Sequence, residues 1–179
     1  DSSLIYCEDG YYDIANNFAE FRQRAQFERG EQQATADVII YDGEEEKYIL
    51  EGDARTKEGD RVATADFIEY DAINDKTFLS GNAFVQDSSQ TIRADRIDYD
   101  AKNETYTTSG RSEIIDGSQI LEADGVDFNN DVGLGIATGN VYWRDTVEQI
   151  SILADSAAYN QNTGFLKASG GRRGRPLLI

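Results

Sequence analysis

Residues 65–70 read Ala-Asp-Phe-Ile-Glu-Tyr. In an extended chain this alternation places Asp66, Ile68 and Tyr70 on one face and Ala65, Phe67 and Glu69 on the other. The pattern returns along the chain. Ala-Asp recurs at Asp37, Asp66, Asp95, Asp124 and Asp155, in steps of 29, 29, 29 and 31 residues. Two and four residues after each aspartate come Ile39 and Tyr41, Ile68 and Tyr70, Ile97 and Tyr99, Val126 and Phe128, and Ala157 and Tyr159. The other face carries Glu69, Arg96, Asp98 and Asp127. One apolar face and one wet face are the signature of an antiparallel sheet.

A glycine keeps the same step, at Gly52, Gly81, Gly110, Gly139 and Gly170. It sits inside a second strand, so it marks a bulge, a bend or a close approach of backbones. The inward positions beyond it are Ala54 and Thr56, Ala83 and Val85, Ser112 and Ile114, and Val141 and Trp143. Counting back from Tyr41 gives Tyr12-Asp13, with Cys7-Glu8 in the Ala-Asp slot of a degenerate first repeat. The units run approximately 5–33, 34–62, 63–91, 92–120, 121–151 and 152–179. Connections such as Glu58-Gly59-Asp60 and Asp116-Gly117-Ser118 have hairpin length and composition.

The pattern predicts an all-β fold, an antiparallel meander of about 11 to 13 strands built from 29-residue two-strand repeats. A sheet that long folds over and encloses its apolar face. The one helical candidate, Asn16 to Glu28, fits the strand phase equally well. After Gly170 the register breaks. Residues 171–176 read as a loop and Leu177-Leu178-Ile179 as the start of a further strand. Residues 1–179 therefore read as a single repeat domain, a piece of a longer array.

Composition narrows the function. The 34 acidic residues against 17 basic ones give a net charge of −17. That excludes a nucleic-acid partner, which needs a basic face, and disfavours anionic membrane surfaces. With no histidine and one cysteine, there is no imidazole-based triad and no internal disulfide. No apolar run reaches the roughly 18 residues of a spanning helix. The chain opens Asp1-Ser2-Ser3-Leu4, without a basic and then apolar leader.

The repeated aspartates invite a metal or an acid–base reading. Equivalent strands lie two spacings apart, about 9.6 Å, whereas a hard cation needs its oxygens within about 2.6 Å. We therefore expect no catalytic residue and no metal site. Each Ala-Asp aspartate is expected to accept backbone hydrogen bonds near a strand start, and the Asp or Asn after each aromatic to form a turn. Cys7 is expected to be a small buried residue, and Arg172, Arg173 and Arg175 a solvated loop.

The motif Ala-Asp-x-Ile-x-Tyr-Asp, then a strand, then Gly-Asn-Ala/Val, resembles the OstA-like family. Those are periplasmic domains of the lipopolysaccharide-transport bridge of Gram-negative bacteria. Ala65 to Val85 and Ala123 to Tyr142 carry the resemblance best, and it extends over residues 5–170. Ile5-Tyr6-Cys7-Glu8 and Gly174-Arg175-Pro176-Leu177 look like the Bacteroidetes branch. The resemblance implies a beta-jellyroll or taco whose groove shields lipopolysaccharide acyl chains, with related domains or second copies stacking end to end. It implies no catalysis and no cofactor. On that reading the groove candidates are Ile39, Tyr41, Ile68, Tyr70, Val85 and Ile97 in the earlier repeats. Tyr99, Ile114, Val126, Phe128, Val141 and Trp143 follow in the later ones. The residues alone leave two other readings open: a structural scaffold with a sealed core, and a glycan-binding or glycan-acting β fold.

Overall fold

The computed structural model describes residues 4–171 and 174–179. Arg172 and Arg173, expected in a solvated loop, lie outside the described residues, while Arg175 is exposed. The chain forms two compact units, residues 1–88 and 89–179. The first contains β1 (Leu4–Tyr6), β2 (Asp9–Asp13), β3 (Phe18–Arg29), β4 (Gln32–Asp42), β5 (Lys47–Glu58), β6 (Arg61–Asp71) and β7 (Lys76–Gln86). The second contains β8 (Gln90–Asp100), β9 (Thr105–Asp116), β10 (Gln119–Asn129), β11 (Leu134–Asp145), β12 (Ile150–Asn160), β13 (Phe165–Ser169) and β14 (Leu177–Leu178).

Each unit is an antiparallel meander, as the alternation predicts. Fourteen strands stand among the described residues because the first and last strand positions are each split. β1 and β2 both pair with β3, and Cys7-Glu8 interrupts them where Ala-Asp stands in later repeats. β13 and β14 both pair with β12. Leu177-Leu178 forms a short strand, as expected, on the same side of β12 as β13. Leu177 lies opposite Leu153 and Leu178 opposite Ile152. The helical candidate became β3. Cys7 is exposed, contrary to the expectation of burial.

The turn signals work as read. Asp42 Oδ1 accepts from the Glu44 and Glu45 backbone amides, both at 3.0 Å. Asp71, Asp100, Asn129 and Asn160 receive the amide three residues on. Successive turns are also tied to one another. The Gly43 amide donates to the Asn17 carbonyl, Ala72 to Glu46, Asn130 to Glu104, and Gln161 to Gly133. At the other end, Gly59-Asp60 and Gly117-Ser118 close two-residue hairpins with the glycine at positive φ.

The strands are bent at mid-length. Register shifts fall beside the Ala-Asp pair of one strand and the repeat glycine of the next, as between Thr64 and Phe67 in β6 and between Glu51 and Ala54 in β5. The shift corrects a face assignment. Strict alternation separates Ala65 from Ile68, yet both are buried, at 6% and 2% exposure. The bulge adds one residue and reverses the phase, so Ala36 and Ile39, Ala94 and Ile97, and Ala123 and Val126 share the same side.

The aspartate lies in mid-strand, exposed on the outer side of this crease, rather than near a strand start. Its carboxylate packs on the glycine fifteen residues later: Asp37 on Gly52, Asp66 on Gly81, Asp95 on Gly110, Asp124 on Gly139, Asp155 on Gly170. A Cβ on any of these glycines would collide with that carboxylate, and each has φ between +71° and +76°. The following residue is also left-handed where it is Asn or Asp, and its amide can close the contact. Asn140 Nδ2 donates to Asp124 Oδ2 at 2.7 Å, and Asn82 Nδ2 to Asp66 Oδ2 at 3.3 Å. The inner side of the crease is the core. In β9, where Gly110 interrupts the ladder, the buried Thr108 hydroxyl accepts from the Val126 amide at 3.1 Å and from Ser112 Oγ at 2.7 Å. No buried side-chain polar atom among the described residues lacks a partner.

Candidate functional site

The bend sets the two halves of each strand face to face within each unit. In residues 1–88, Arg29 lies close enough to influence the Tyr48 hydroxyl, and Glu58 the Tyr70 hydroxyl, although each pair comes from opposite strand ends. In residues 89–179, Gln161 Nε2 reaches Asp116 Oδ2 at 3.5 Å from the other wall.

Cross-strand partners line up in rows. The row nearest the crease on the wall with the Asx turns forms a floor. In the first unit it reads Phe21, Ile39, Leu50, Ile68, Leu79. In the second it reads Ile97, Thr108, Val126, Ala137, Ala157, Ala168. The next row outward is Tyr41, Tyr48, Tyr70, Thr77 in the first unit and Tyr106, Phe128, Gly135, Tyr159, Leu166 in the second. On the facing wall, Ala34, Thr56, Ala63, Val85 contrast with Ile92, Ile114, Leu121, Trp143, Ile152.

Side-chain size along these rows decides where space remains. Ile39, Leu50, Ile68 and Leu79 are 2–5% exposed, and Ile97, Thr108, Val126, Ala137 and Ala157 are 2–6% exposed, so both floors are buried. In residues 89–179 the floor ends in alanines, and a cavity of about 140 Å3 lies between the walls. Ile114, Leu121 and Trp143 line one side, and Val126, Ala137 and Ala157 the floor. Tyr106, Phe128, Tyr159 and Leu166 continue the floor's wall. The Tyr106 and Phe128 rings stack with centroids 5.4 Å apart. Phe128 lies over Gly135, where a Cβ would come within 2.6 Å of the ring. The rim is polar and carries Gln90, Asp116, Gln119 and Gln161.

Four of the twelve groove candidates line this cavity: Ile114, Val126, Phe128 and Trp143. Ile97 and Val141 are buried at the crease, at 2% and 1% exposure, and Tyr99 sits half-buried in the Tyr106 row. In the first unit, Ile39, Ile68 and Val85 are buried. Tyr41 and Tyr70 flank Tyr48, with ring centroids 4.9 and 6.3 Å apart. Burial pushes the Tyr48 and Tyr70 hydroxyls above the usual phenol range, and Tyr70 donates to Asp75 Oδ1 at 3.1 Å.

Sequence reasoning missed Tyr106, Leu121, Gly135, Ala137, Ala157, Tyr159 and Leu166 as lining residues. A signal was present: the position two before each repeat glycine reads Leu50, Leu79, Thr108, Ala137, Ala168. Charge also divides unevenly. Residues 1–88 hold 21 acidic and 8 basic side chains, a net −13, and residues 89–179 hold 13 and 9, a net −4.

No curated protein matches the chain. Among solved structures it is similar to LptH of Pseudomonas aeruginosa, described as the LptA-homologous periplasmic component of the conserved lipopolysaccharide transport device. The identity is 8% and the TM-score 0.30, over 99% of this chain and 94% of that one. The family described as LptA/(LptD N-terminal domain) LPS transport protein matches residues 10–72 and 56–105. Those matches span more than half of the 179 residues, and the chain belongs to this family of lipopolysaccharide transport proteins.

Proposed function

We propose that this protein is a non-catalytic periplasmic carrier that shields acyl chains of lipopolysaccharide on their way to the outer membrane. The chains are held in the apolar cavity of residues 89–179. The observation that carries this reading is the cavity itself, with Trp143, Leu121 and Ile114 facing Phe128, Ala137 and Ala157 across open space. Apolar side chains around such a space leave dispersion contacts unmade, and an alkyl chain supplies them while leaving water. Related domains or second copies joining by strand addition complete the proposal, since β13 and β14 have a partner strand on one side only among the described residues.

Trp143 is the only tryptophan, half-buried and on the cavity wall. Its emission is expected to shift saturably on adding lipopolysaccharide. Trp143→Glu is expected to weaken binding, because a carboxylate against acyl chains costs several kcal/mol or takes up a proton. An emission that lipopolysaccharide leaves unmoved, with Trp143→Glu affecting stability alone, would sink the reading.

A further inference from the structure

We propose that the outer face of β10 to β13 is a docking surface for a second copy of this chain, packed face to face about a two-fold axis that runs along the strands. The inference concerns a sheet face. It is independent of the carrier reading and of strand addition at the edges.

Gly135, Ala137, Ala157 and Leu166 line the interior cavity. Alternation therefore puts Leu134 and Ile136 of β11, Ala158 of β12, and Phe165 and Lys167 of β13 on the outer side. Leu134, Ile136 and Phe165 are 48%, 55% and 64% exposed. Large apolar side chains grouped at such exposure mark an interaction surface. The same row is polar in β8 and β9, where it holds Asp98 and Thr107, and Asp98 is paired with Arg96 at 2.7 Å.

The row read across the strands says what fits. It runs Asp127, Ile136, Ala158, Lys167. A large side chain stands beside a small one, and an acid and a base close the ends. Neither Asp127 nor Lys167 has an ion-pair partner among the described residues. A surface that meets its own copy in a closed pair does so about a two-fold axis. For two sheet faces that axis lies in the plane between them. Set along the strands, midway between Ile136 and Ala158, it lays Ile136 of each copy over Ala158 of the other, and Asp127 over Lys167. Set across the strands, it opposes Asp127 to Asp127 and Lys167 to Lys167. The charges select the first direction. Packed sheet faces stand about 10 Å apart with their strands nearly aligned, a gap that lysine and aspartate side chains span together.

Net charge agrees with this choice of face. Two copies at −17 each repel, and residues 89–179 carry only −4 of that charge against −13 in residues 1–88. Three large apolar side chains per copy make a small interface. Contacts of that class are weak, so the dimer is expected at on the order of 100 µM protein.

The test is sedimentation equilibrium of the full chain from about 10 to 500 µM at physiological salt. A reversible monomer–dimer equilibrium is expected. Asp127→Lys alone and Lys167→Asp alone are each expected to weaken it by about tenfold, and the two together to restore it to within about threefold. Ile136→Glu, at an exposed position, is expected to abolish it while cooperative thermal unfolding is kept. Carbodiimide coupling is expected to join Asp127 of one copy to Lys167 of the other. Within one copy the two lie three strand spacings, about 14 Å, apart, too far for a direct amide.

A chain that stays monomeric over this range would overturn the inference. So would single-charge variants that associate like the parent, or a double variant as weak as either single one. Open-ended polymers that the charge variants leave unchanged would assign self-association to the edge strands and overturn it as well.

Discussion

Residues 1–88 and 89–179 run the same repeat through the same crease and differ in what they place on it. The first unit puts Phe21, Ile39, Leu50, Ile68 and Leu79 along its floor. The second ends the equivalent row in Val126, Ala137, Ala157 and Ala168. The backbone plan is constant, so the contrast lies in where side-chain volume is placed: on the floor in the first unit, and on the facing wall, at Ile92, Ile114, Leu121, Trp143 and Ile152, in the second.

The largest effect should come from hollowing the packed unit. Leu79→Ala removes a side chain that is 2% exposed and is expected to cost about 2–5 kcal/mol in chemical denaturation. A loss below about 1 kcal/mol would mean that the first unit relaxes freely and that the contrast is one of shape alone.

The next effect compares two glycines. At Gly81, φ is +75° and a Cβ meets the Asp66 carboxylate, so Gly81→Ala is expected to cost about 1–3 kcal/mol. Gly135 has ordinary φ and its obstruction is the Phe128 ring, beside open space. Gly135→Ala is expected to cost about 1 kcal/mol or less, as the ring swings aside. Equal losses at the two sites would show that the cavity has no room to give.

The smallest effect concerns the turns. Side-chain and backbone hydrogen bonds from Asn16 hold the Asp13 carboxyl below the usual carboxylate range, and those from Asn74 do the same for Asp71. Asp145 is lowered chiefly by the Glu148 amide. A carboxyl lowered by folding stabilises fully above its unfolded value, near pH 3.9, and loses that contribution as pH falls through its folded value. Tm should therefore decline with acid over that window. Asp13→Asn, Asp71→Asn and Asp145→Asn together should flatten the decline, since Asn129 and Asn160 already serve the same turns.

The regular parts of this design were legible without coordinates. Asp and glycine markers at one step revealed the two-strand repeat, the hairpin ends and the turn formers, because each depends on a few neighbouring residues; the splitting of the first and last strand positions, which raises the count to fourteen among the described residues, carries no such marker. The face of Ala65 was not legible, because period-two alternation assumes an unbroken ladder and the bulge beside Asp66 reverses the phase. Glycine was recognised as a bulge marker, but its contact with the aspartate fifteen residues earlier needs both strands in view. The cavity was harder. Ala157 was placed on the apolar face, and an alanine under a tightly packed wall has the same pattern as one beneath open space. Only the facing side chain, here Trp143 across from Ala137, distinguishes them.

The fifteen-residue separation of aspartate and glycine also bears on how the chain folds. Most contacts that define the crease, the hairpins and the turn ladder join residues less than one repeat apart. Sheet proteins usually fold slowly because their pairings close long loops, whereas a meander of local pairs has low contact order. Folding can begin at any well-formed repeat and spread to its neighbours, as in other linear arrays. A defect in one repeat then delays the zipper at that point and leaves distant repeats able to form.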